Sequence, residues 1–149
     1  MLALLPVLLV AQPGCRSESL ASSQPAVRSE SPTATMLRSR TDQVLRDIAV
    51  GNFRQLAQYY APGADVNLRG EIEHHLGGPL GNVNLYSWTA AAIGIELSED
   101  GRHARTGVEV ILQGPRNELY KKGVLFAWSR SDDTREMTFY LLPHAAATP

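Results

Sequence analysis

Residues 104–128 read ARTGVEVILQGPRNELYKKGVLFAW. Ala104, Thr106, Val108, Val110 and Leu112 fall on alternate positions, and so do Val124, Phe126 and Trp128. Successive side chains of a strand point to opposite faces, so this period of two marks strands with one buried face. The segment between them, Gln113-Gly114-Pro115-Arg116-Asn117, is made of turn-forming residues. Two strands joined so tightly run antiparallel. Upstream, Ile93, Ile95 and Leu97 share a face, and Glu99-Asp100-Gly101 turns the chain into the 104 strand. Asp-Gly between alternating runs is a strong hairpin signal. Downstream of Ser131-Asp132-Asp133, Met137, Phe139 and Leu141 alternate in the same way. The reading is an antiparallel meander of four strands.

Before the meander the period changes. Val44, Leu45, Ile48, Ala49, Leu56, Ala57 and Tyr60 recur at steps of three and four, with Phe53 on the same side. This predicts a helix from Thr41 to Tyr60. Ser39 with Asp42 three residues on resembles a capping box at its start. Gly51-Asn52 interrupts it at a cost of roughly 1 kcal/mol for the glycine alone, so a kink or a helix pair is expected there. Ala61-Pro62-Gly63 ends it. Glu71 to Leu76 adds one short turn, closed by Gly77-Gly78-Pro79. The apolar stripe of the helices has to be covered, and one face of the sheet is the partner at hand. The predicted class is α+β: a kinked N-terminal helix or helix pair packed on a curved antiparallel sheet.

The chain has 149 residues, 44% of them apolar, with a formal net charge of −1. That length favours one domain with an ordinary core. Near-neutral charge argues against nucleic-acid binding, which needs a basic excess. A single cysteine excludes a disulfide framework and a multi-cysteine zinc site. The first fifteen residues carry no charge, and Leu2 to Ala11 are apolar apart from Pro6. The run is too short for a membrane-spanning helix but has the length of a signal-peptide core, although no Lys or Arg precedes it. Cys15, after Gly14, resembles the lipid-modified cysteine of bacterial lipoproteins, with Gln12 where a leucine is usual. The expected organisation is a signal peptide over 1–15, a disordered serine-rich tether over 16–38, a folded domain over 39–143 and a disordered tail over 144–149. All ten aromatic residues lie between Phe53 and Tyr140.

Val50-Gly51-Asn52-Phe53, Leu56, Tyr59-Tyr60-Ala61-Pro62 and Ala64-Asp65-Val66, followed by a meander from Trp88 to Leu142 that includes Leu125-Phe126-Ala127-Trp128, resemble the nuclear transport factor 2-like, or cystatin-like, α+β cone. The resemblance covers the folded domain and its motifs are structural. It implies a pocket between sheet and helices, and a superfamily in which some members are isomerases, hydrolases or cyclases while many bind ligands or dimerise. In the ketosteroid-isomerase-like members, a tyrosine and two carboxylic acids do the chemistry. Aligned on Gly51-Asn52 and Ala64-Asp65, this chain has Val44 and Leu68 where the tyrosine and the base would stand, and a place near Val124 where the other acid would stand. That activity is rejected, since no acid stands there to be held neutral in an apolar pocket.

The polar cluster left is Glu71, Glu73, His74 and His75, with Asp65 nearby. Glu71 and His75 are four apart and meet on a helix, but two groups do not make a metal site. The expected acid–base pair, if there is one, is Asp65 with His75. Tyr60, Tyr86, Trp88, Phe126 and Trp128 are the candidate pocket residues. No Walker loop, dinucleotide fingerprint, nucleophile elbow or HExxH is present, so no cofactor and no metal is expected. Three functions follow. The first is an exported, lipid-anchored domain that binds a small apolar ligand or a partner protein without catalysis. The second is a small hydrolase or isomerase using Asp65 and His75. The third is a homodimeric scaffold held through the outer sheet face, where Leu125, Ala127, Tyr140 and Leu142 are apolar for a wet surface.

Overall fold

Ser31-Pro32 opens the first helix. In the computed structural model, which describes residues 30–132 and 138–144, Ser31 caps helix α1 (Pro32–Val50), its hydroxyl accepting from Ala34 N–H at 3.2 Å. Proline at the first helical position gives up only a donor that has no helical partner anyway. The expected start at Ser39 and the tether boundary at 38 are therefore corrected: residues 32–38 are helical. Ala34 and Leu37 are buried and extend the stripe through Thr41, Val44, Leu45 and Ile48. Asp42 makes no capping box; it pairs with Arg46 at 2.9 Å and accepts from the Trp88 indole at 2.8 Å. The candidate signal segment, Cys15, Met137 and residues 145–149 lie outside the described residues.

The interruption at Gly51-Asn52 divides two helices. Gly51 is left-handed (φ 71°) and caps α1, its N–H bonding back to Ile48. Asn52 starts α2 (Phe53–Ala57) with its side chain on Gln55 N–H. The expected short turn at Glu71 is a longer helix, α3 (Leu68–Leu76), capped by Asn67 and closed by a left-handed Gly77.

The sheet has β1 (Asn84–Trp88), β2 (Gly94–Leu97), β3 (His103–Gln113), β4 (Leu119–Arg130) and β5 (Phe139–Leu141), all antiparallel. β1 and β2 pair with successive stretches of one side of β3, β4 with its other side, and β5 with the end of β4. The meander is as expected and β1 is an addition to it. Register places Val108 beside Val124, Thr106 beside Phe126 and Ala104 beside Trp128, all buried on the face that meets the helices. The result is an α+β half-barrel, helices lying in the hollow of a curled sheet. Its centre holds a buried polar chain. The Trp128 indole donates to Thr106 Oγ1 at 2.9 Å, the Thr106 and Thr41 hydroxyls share a 2.8 Å bond, and Thr41 Oγ1 donates to Leu37 O at 2.8 Å. Each hydroxyl has one hydrogen, so the chain closes when Thr106 donates to Thr41. It bolts α1 to the sheet.

Candidate functional site

α3 stands beside β4, and its spacing decides which groups face the hollow. Leu68, Glu71, Ile72 and His75 recur at three and four residues and line one small internal cavity with Tyr60 and Phe126. Its volume is about 10 Å³, and the rest of its wall, including Val44 and Leu141, is apolar. About one water molecule fits such a space.

Glu71 is 7% exposed, and its carboxylate is satisfied from beyond β5. The backbone N–H of His144 donates to Oε2 at 2.9 Å, and the His144 ring stands 3.5 Å from Oε1 at Nδ1. The same ring stacks on His74 at 3.9 Å between centroids. The expected tail is thereby corrected at its first residue: His144 closes over α3. Buried carboxylates need such donors, because desolvation disfavours the bare charge.

His75 sits in the wall, its ring 4.6 Å from that of Phe126. Burial pushes its imidazole down to about 4; the Glu71 carboxylate opposes this, while His74, His144 and Lys122 reinforce it. It is a neutral base at pH 7. The Tyr60 hydroxyl is pushed well above its ordinary value, first by burial and then by Glu71. A carboxylate, a neutral imidazole and a protonated phenol thus border one apolar space.

Asp65 is not among them. It is exposed in the turn after Pro62-Gly63 and makes no hydrogen bond or ion pair among the described residues, so the expected Asp65–His75 pair is not assembled. Glu71 lines the cavity beside His75 instead. Its signal was the four-residue spacing to His75, whereas His144 carries no local signal at all. Of the candidate pocket residues, Tyr60 and Phe126 border the cavity. Trp128 is fully buried core, Trp88 ties β1 to α1 through Asp42, and Tyr86 is 59% exposed. These three are corrected to other roles, because a bulge between Leu85 and Ser87 turns Tyr86 outward and the two indoles take polar partners in the packing. Val44 and Leu68 also border the cavity.

A second recess of about 290 Å³ lies outside the same wall, lined by His74, His75, Arg105, Leu125, Phe126 and His144 among others. Phe126 and His75 separate it from the inner cavity. Among the described residues no group of three or more His, Cys, Asp or Glu is arranged to hold a metal ion, and no helix is long and apolar enough to cross a membrane. Comparison with protein-family models, with curated proteins and with solved structures finds no match.

Proposed function

We propose that this chain is an exported domain of the nuclear transport factor 2-like kind, anchored through a lipid on Cys15, that binds a partner protein without catalysis. The observation that carries the reading is the filled hollow. A site for a small apolar ligand holds roughly 300 Å³ or more; the space between sheet and helices holds about 10 Å³, and the two spaces near that size, about 290 and 370 Å³, are recesses open at the surface. The apolar surface available for recognition is outside instead, where Leu125 is 69% exposed and Tyr86 is 59% exposed. Both stand on the sheet face away from the helices, one on β1 and one on β4 with β3 between them, and offer exposed apolar contact points to a partner. A photo-crosslinking residue at Leu125 or Tyr86, introduced in the native host, is expected to capture one macromolecular partner that the purified partner then competes away. Native mass spectrometry that finds a stoichiometric small apolar molecule, with no crosslink, defeats the reading.

A second reading, a small hydrolase or isomerase, is favoured by the Glu71–His75–Tyr60 grouping around one cavity. Turnover of ester or enone probes that disappears in both Glu71→Gln and His75→Gln would replace the first reading with this one.

A further inference from the structure

The side of β4 away from β3 is only partly covered. Leu142 N–H donates to Ala127 O, and Ser131 N–H to Thr138 O, so odd-numbered residues of β4 direct their backbone groups toward β5. Even-numbered ones serve β3, as Arg130 N–H does with Arg102 O. β5 reaches only Trp128 to Arg130 in the ladder. Beyond Leu142 the chain leaves β4 and carries His144 to Glu71. The N–H and C=O groups of Leu125, Gly123 and Lys121 therefore face outward along an open edge, with no backbone partner among the described residues. The 290 Å³ recess opens where this edge begins, at Leu125 and Ala127.

Cations outnumber acids along the edge: Arg105, Lys121 and Lys122 stand against Glu109, which lies opposite Gly123. Arg105 and His74 border the recess, and Lys121 and Lys122 lie along the strand. Arg105 and Lys122 make no ion pair among the described residues. Of the nearby acids, Glu109 is engaged by Lys121 at 2.8 Å and Glu71 by His144. Lysines on an open edge discourage self-pairing, since a second copy brings the same charges. They favour an acidic strand, whose main chain would satisfy the open groups and whose side chains would meet the cations.

We propose that the Lys121–Leu125 edge of β4 is a strand-addition site for an extended, acidic segment of a partner protein. The proposal rests on the partner-binding reading above and gives that partner its chemistry. The test uses the full chain and short blocked peptides of alternating valine and glutamate. One control carries lysine in place of glutamate, and another has alternate backbone nitrogens methylated. The acidic peptide is expected to bind roughly tenfold or more tighter than the lysine peptide at low salt, with the gap closing as salt rises. Binding should slow hydrogen exchange at the Gly123 and Leu125 amides. The methylated peptide and Gly123→Pro should each weaken binding roughly tenfold, about the worth of a lost hydrogen bond or two. Proline at 123 removes an N–H the β3 ladder does not use, and edge strands tolerate it; if that variant does not fold, the methylated peptide carries the comparison.

Equal binding of the acidic and basic peptides, or none, overturns the proposal. So does protection of the Gly123 and Leu125 amides in the free monomer, which would mean the chain covers its own edge. A dimer dissociated by Gly123→Pro overturns it too, with a second copy as occupant. None of these outcomes touches the crosslinks at Tyr86, which test the binding reading separately.

Discussion

His75 binds its proton more weakly in the folded chain, at about 4, than in the unfolded chain near 6.5. Between those values the unfolded state holds more protons, so stability rises with pH across the window and is complete above it. Acidification from about 6.5 to about 4 is expected to remove at most about 3 kcal/mol through this residue. Urea unfolding at several pH values tests this, because His75→Gln should lose that part of the slope while the exposed carboxylates keep theirs. A second residue carries a prediction of another kind. Thr106→Val strands the Trp128 indole N–H and removes the Thr41 partner in a fully buried chain. An orphaned buried donor costs about 2 kcal/mol, and Thr106→Ser should recover most of it in the same unfolding assay. Sequence alone presented Thr106 as one more member of an alternating face. That its hydroxyl ties α1 to the indole depends on register, which no local pattern encodes.

Among the elements, strands were legible because alternation is strict where one face is buried: β3 and β4 each keep their buried residues on alternate positions. The helix break was legible because Gly51 adopts a conformation other residues resist. The first turns of α1 were not, because Ser, Thr and Arg dominate residues 31–41 and dilute the stripe that Ala34, Leu37 and Thr41 continue. The local start signal is serine followed by proline, two residues that equally suit a tether. Both ends of α1 are therefore open to test. Ser31→Ala removes the cap at a cost of about 1 kcal/mol. Gly51→Ala meets no atom within 4 Å, so its cost of about 1 kcal/mol comes from the left-handed backbone alone. Thermal unfolding should show both losses. If Ser31→Ala leaves the midpoint unchanged, the helix does not gain its stability from that end.

On the scale of the whole molecule, the site is a wall rather than a pocket. Glu71 and His75 come from one helix, Phe126 from the longest strand and His144 from the chain past the last strand. The four-residue step joined the first two in the sequence; only the fold brings the others. Phe126 keeps the inner cavity apart from the outer recess, and its ring covers the His75 imidazole. The depressed protonation of His75 is thus a consequence of this packing, since burial is its largest cause. Phe126→Leu shortens the partition while leaving an apolar side chain that the core tolerates, for about 1 kcal/mol. Water from the recess, which His75 already borders, should then reach more of the imidazole. Titration of the His75 ring by nuclear magnetic resonance is expected to move from about 4 toward 6.5, with the fold retained. A midpoint that stays near 4 in the folded variant would place the barrier elsewhere, in α3 itself, and the two spaces would not be neighbours through Phe126.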